Sequence, residues 1–121
     1  MAIVAGVLVG IVALLHAWFL VLEMVLWQKP LGLRTFGLTA ESAKLTATLA
    51  ANQGLYNGFL AAGLALSFFV PADVAYYARL FLLGCVVVAG VFGAATVSRR
   101  ILLVQALPGS LALIAVVAAG Q

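Results

Sequence analysis

The sequence predicts an all-α integral membrane protein, a bundle of four spanning helices with both termini on the exterior or periplasmic side. Three observations predict it. Of 121 residues, 67% are hydrophobic and 7% charged, against roughly 25% charged in an ordinary soluble domain, and the mean hydropathy is +1.30. Polar interruptions divide the chain into four apolar stretches, each near the ~20 residues that a bilayer span requires. The few cations gather between those stretches rather than within them. Six basic and three acidic residues cannot clothe a water-facing surface. Disorder, which needs low hydrophobicity and high charge, is excluded as well.

The whole chain, residues 1–121, reads as a single membrane domain. Its first span covers about 2–27, interrupted only by His16 and Glu23, and Trp27-Gln28-Lys29-Pro30 ends it with an interfacial aromatic, a cation and a helix breaker. No Lys or Arg precedes Leu15 and the apolar run outlasts a signal-peptide core, so a retained helix is expected. Residues 28–48 form a cytoplasmic loop, with Leu31 to Leu38 as a surface loop or short interfacial turn. Thr39 is a candidate N-cap, Glu41 suits the first helical turn, and Lys44 lies within reach of Glu41. The helix then runs to Val70, its membrane part being about 49–70, and Pro71 stops it. Residues 71–73 form the outer loop, with Asp73 a candidate cap. The third span covers about 74–97, residues 98–100 form the next cytoplasmic loop, and the fourth span covers about 101–119.

Orientation follows from the cations. Lys29, Arg34, Lys44, Arg99 and Arg100 fall on one side and only Arg79 near the other, which makes the first side cytoplasmic in a cell inner membrane. Small residues mark the packing faces: Gly6 with Gly10, Gly54 with Gly58, Ala89 with Gly93, and in the last span a stripe of Gln105, Pro108, Ala112, Ala115 and Ala119. That stripe should face the protein and leave Leu107, Leu111 and Ile114 to lipid.

The polar residues inside the spans are the informative ones. Glu23 lies roughly 6 Å inside Trp27 at ~1.5 Å of rise per residue. Asn52, Gln53, Tyr56 and Asn57 enter from the same side, as do Thr96 and Gln105, and His16 is two turns deeper than Glu23 on nearly the same face. Together they outline a polar cavity that opens to the cytoplasm under an apolar outer half. An intramembrane carboxylate costs ~2.5 to 3.5 kcal/mol on insertion scales, so Glu23 should face inward with a partner, His16, Gln53, Asn57 or Gln105, or be protonated. The amides read equally as interhelical hydrogen-bond glue, Tyr56 as a packed aromatic, and His16 as a structural hydrogen-bonding group.

Much chemistry is excluded. One His, one Cys and one intramembrane Glu do not make a metal site, and no phosphate-binding loop, serine-histidine-acid set or CxxC occurs. No cofactor is expected. Basic residues split between two loops without aromatic platforms give no nucleic-acid surface, and Cys85 reads as a small buried hydrophobe. The partner implied is the lipid bilayer.

The His16 and Glu23 region with Trp27, the block Ala50-Ala51-Asn52-Gln53-Gly54-Leu55-Tyr56-Asn57-Gly58-Phe59-Leu60, Gly90-Val91-Phe92-Gly93-Ala94-Ala95-Thr96, and Val104-Gln105-Ala106-Leu107-Pro108 resemble a family of small bacterial membrane proteins known only as domain of unknown function 1304. The likeness covers nearly the whole chain, and the asparagine-rich block is its most specific part. It implies a four-helix inner-membrane protein and transfers no catalytic residue and no substrate. Three functions stay open: binding or translocation of a small molecule or ion through the cytoplasm-facing cavity, with a homodimer or larger assembly; a membrane enzyme using His16 and Glu23 on an isoprenoid-like or quinone-like substrate; and a structural or assembly protein without a ligand.

Overall fold

Apolar sequence without internal proline favours helix, because a chain in lipid must satisfy its backbone hydrogen bonds within itself. The computed structural model describes residues 1–120 and contains no strand among them. It has α1 over Ala2–Met24, α2 over Pro30–Phe36, α3 over Ala40–Leu66, α4 over Ala72–Thr96, a π-helical turn over Leu102–Ala106, and α5 over Leu107–Ala119. Three helices are long and apolar enough to cross a membrane: Ala2–Met24, Ala72–Thr96 and Leu102–Ala119. This is a membrane protein. The 27 residues of α3 are length enough for a span, but Asn52, Gln53 and Asn57 lower its hydropathy.

The chain divides into two compact units, residues 15–61 and residues 1–14 with 62–120. In the first unit the segment expected as a loop or short turn is the seven-residue helix α2. Pro30 supplies the pre-set φ of a first helical position, and Gly37 ends the helix at φ 63°, its N–H donating to the Leu33 carbonyl. Gly32 is needed by contact rather than conformation, since a Cβ there would overlap the Leu26 carbonyl oxygen. The cap of α3 is as expected and goes further. Ser42 N–H donates to Thr39 Oγ1 at 3.1 Å while Thr39 N–H donates to Ser42 Oγ at 3.1 Å, a reciprocal capping box with serine in the usual glutamate place. Lys44 forms no salt bridge with Glu41 among the described residues; both side chains are exposed, where such a pair gains little.

In the second unit α3 ends at Leu66 rather than Val70. The reason is local: Pro71 disfavours helical φ/ψ at Val70, and the chain tightens through Phe68 N–H to Ala65 O and Phe69 N–H to Leu66 O. Asp73 occupies the first turn of α4 and caps nothing with its side chain, Pro71 holding the N-cap place. Arg79 does more than mark an interface. Its Nε donates to Ser67 Oγ at 2.9 Å and its Nη2 to the Ser67 carbonyl at 3.2 Å, and its guanidinium lies 4.8 Å from the Phe68 ring centroid. One cation thus satisfies the end of α3 from the second turn of α4. Hydrogen bonds to a charged group contribute about 1.5–3 kcal/mol, so Arg79→Ala is expected to lower stability by about 1.5 kcal/mol, at the low end for a half-buried group, in equilibrium unfolding from detergent micelles. Arg79→Lys should restore only part of it, because an ammonium cannot reproduce the guanidinium fork.

The last helix enters through the π-helical turn. An α-helical ladder through Pro108 would lose one donor and press the ring on the Val104 carbonyl; the wider turn, closed by Leu107 N–H to Leu102 O, accommodates it. The expected stripe faces inward at Ala112 and Ala115, both buried, and Leu107, Leu111 and Ile114 are exposed. Two small-residue pairs differ from expectation. Nothing lies within 4 Å of a Cβ built on Gly10, so Gly6 and Gly10 mark no close approach. On α4 Gly93 does mark a close approach, a Cβ there standing 3.2 Å from the Ile101 side chain, but the tighter position is Gly90, whose Cβ would stand 2.7 Å from Ala106 N, while Ala89 is exposed.

Candidate functional site

The polar residues of the unit 15–61 sit on two helices whose approach is set by glycine. On α1, His16 and Glu23 are separated by two turns. On α3, Gly54 and Gly58 present bare backbone: a Cβ on Gly54 would stand 2.6 Å from Met24 Cγ and 3.0 Å from Glu23 Cβ, and one on Gly58 2.5 Å from Leu20 Cδ1. Without those side chains the Leu20 to Met24 segment lies directly on α3. That contact brings Asn57, about one turn beyond Gly54 and 6% exposed, against the carboxylate.

Asn57 Nδ2 donates to Glu23 Oε1 at 2.5 Å. That is the side-chain hydrogen bond the carboxylate makes among the described residues. Of the four partners the sequence allows for Glu23, the structure selects Asn57. His16 is 1% exposed and meets Phe19 edge-on, ring centroids 5.3 Å apart.

The remaining α3 residues are placed differently. Asn52, Gln53 and Tyr56 are exposed, Tyr56 with 54% of its surface, and Tyr56 makes an edge-on contact with Phe59 at 6.0 Å. Thr96 and Gln105 belong to the other unit. Thr96 is exposed and its hydroxyl donates to the Phe92 carbonyl of its own helix at 2.7 Å, and Gln105 is half-buried in the π-helical turn.

One polar contact has no signal in the sequence beyond the interfacial place of Trp27. Its indole Nε1 donates to Thr46 Oγ1 at 3.1 Å, and Thr46 donates to the Ser42 carbonyl. The Phe36 ring of α2 lies 4.7 Å from the Trp27 ring, so α2 is held to the end of α1 by aromatic contact. Among the described residues no group of three or more His, Cys, Asp and Glu could hold a metal ion. Two surface grooves, one along Leu80, Gly84 and Val88 and one along Val91, Leu103 and Leu107, are mainly apolar and include none of the polar residues named above.

The arrangement therefore offers one carboxylate with one neutral amide donor, inside a helix pair. A family model described as "Protein of unknown function (DUF1304)" matches residues 10–117. No curated protein and no solved structure matches the chain.

Proposed function

Because the chain belongs to the DUF1304 family, whose function is unknown, we propose a function from the site itself: the protein binds a small cation at Glu23 and Asn57 on the cytoplasmic side of the membrane and helps it to cross. The observation that carries this reading is the Asn57 to Glu23 hydrogen bond. A neutral amide orients the carboxylate without cancelling its charge, and a charge within a span is stabilised only by a counter-ion or a proton. A cationic ligand would supply what the protein's own side chains do not.

The setting is a four-helix bundle in a cell inner membrane with both termini outside. The length of α3 supports its counting as the fourth span, and the cations Lys29, Arg34, Lys44, Arg99 and Arg100 support the orientation. His16, on α1 two turns from Glu23, is the residue of the same unit that would line the path beside the site. A second reading, that the pair only fastens α1 to α3, is favoured by the bare backbone at Gly54 and Gly58.

Thermal unfolding of the protein in lipid nanodiscs, titrated with sodium, potassium and tetramethylammonium chlorides at constant ionic strength, separates the two. Binding at a hundred times Kd stabilises by about 2.7 kcal/mol, so the midpoint should rise with one of these cations and the rise should vanish in Glu23→Gln. A midpoint that no cation moves in the wild-type protein would sink the cation reading and leave the fastening one.

A further inference from the structure

The π-helical turn that admits Pro108 leaves a backbone group without its usual donor. In an α-helix the Leu103 carbonyl would accept from Leu107 N–H, but that N–H donates to Leu102. In the wider ladder the donor would be residue 108, which is proline and has no N–H. Neither ladder therefore reaches the Leu103 carbonyl. The turn is also held in this shape, because Ala106 lies against the bare backbone of Gly90.

The surroundings of this carbonyl are apolar. Leu103 belongs to Leu102–Ala119, which is long and apolar enough to cross a membrane, and lipid tails offer a backbone acceptor no hydrogen bond. It lines a groove of about 330 Å³ with Leu102, Ala106, Leu107 and Ser110 of the same segment and Val91 of α4. The groove lies wholly within one compact unit. Its one polar side chain, Ser110, is seven residues beyond Leu103, roughly 10 Å along the axis at ~1.5 Å per residue. Leu103 follows the cation Arg100 by three residues, so the free acceptor sits at the rim of the span and the groove runs inward from it.

We propose that this groove binds a membrane-soluble molecule with a free hydroxyl, which donates to the Leu103 carbonyl while its hydrocarbon body lies along Leu107 and Val91. The chemistry of the occupant follows from the acceptor and from the groove. A carbonyl oxygen accepts and never donates, so the head of the ligand must donate; a phosphodiester or a ketone, which only accept, gains nothing there. The groove below the rim asks for an apolar body. A donor at the rim with a chain running inward is the order of an amphiphile inserted in one leaflet. π-helical turns often occur at functional sites, and the carbonyl freed at Leu103 is the physical reason that this one would serve. Glu23 and Asn57 belong to the other unit, so the inference is independent of what they bind.

The test uses the full chain in phosphatidylcholine nanodiscs, whose headgroup has no donor, with farnesol as the probe and farnesyl methyl ether as its match without a hydroxyl. A diazirine analogue of farnesol is expected to label residues 102–110 or Val91. Farnesol should displace it at a concentration about tenfold lower than the ether does, the worth of one hydrogen bond. Pro108→Ala, which gives residue 108 an N–H, should remove that preference without lowering the thermal midpoint, and Ser110→Ala should keep it. Labelling elsewhere overturns the proposal, as does equal displacement by alcohol and ether in the wild-type chain, which would leave the carbonyl to water. A preference that survives in a folded Pro108→Ala overturns it too, and so does one lost in Ser110→Ala, which would make the serine hydroxyl the anchor. Should Pro108→Ala fail to fold, the wild-type comparison and Ser110→Ala still decide.

Discussion

Gly90→Ala is expected to lower the stability of the protein by about 3 kcal/mol, the upper part of the range for overpacking a tight contact. The added methyl would stand 2.7 Å from Ala106 N, 2.9 Å from its Cα and 2.9 Å from its Cβ. Two of those atoms are backbone, so no rotamer change relieves the clash. They also belong to the π-helical turn Leu102–Ala106, whose shape Pro108 already constrains, so α4 and the turn must separate. The control is Gly84→Ala on the same helix, where nothing lies within 4 Å of the new Cβ; helix propensity there favours alanine by roughly 0.8–1 kcal/mol. Equilibrium unfolding of both variants in mixed micelles decides the matter. Equal stabilities would mean that Gly90 and Ala106 are not in close contact.

Gly90 also shows what the sequence can and cannot reveal. The helices are legible because apolar runs, Pro71 and the Thr39 cap each act locally, and the lipid face of α5 is legible because a 3.6-residue period fixes which side Leu107, Leu111 and Ile114 share. A tight crossing between α4 and the π-helical turn depends on where two separate segments meet. Spacing alone points to Ala89 and Gly93, and Ala89 is one residue away from Gly90, which is about 100° around the helix. The same distinction governs the polar residues. Asn52, Gln53, Tyr56 and Asn57 lie within two turns of α3, as counting residues requires, but position along a helix is not direction: Asn57 turns toward α1, and Asn52 and Tyr56 point away from it. Arg79 is legible as a cation near the outer loop, and its grip on Ser67 is not, because serine at a helix end has no single spacing signal.

Asn57→Leu is expected to destabilise the protein by about 3 kcal/mol, and adding Glu23→Leu should recover most of that loss. The single substitution leaves the carboxylate inside the helix pair with no donor, and an unsatisfied buried polar group costs about 1–3 kcal/mol, more when it is charged. The double variant removes the charge together with its donor, and replacing a buried polar pair by packed hydrophobic residues is often neutral or stabilising. The two changes should therefore be coupled by about 2 kcal/mol, within the range for residues in contact, where a bond between neutral side chains in a membrane averages only about 0.6 kcal/mol. A double-mutant cycle read by unfolding in micelles measures the coupling directly. Coupling indistinguishable from zero would mean that Asn57 does not hold Glu23. A large coupling, set beside the cation titration of Glu23→Gln, tells a carboxylate kept for a ligand from one kept for packing: in the first case the double variant regains stability and loses the cation response, and in the second there is no response to lose.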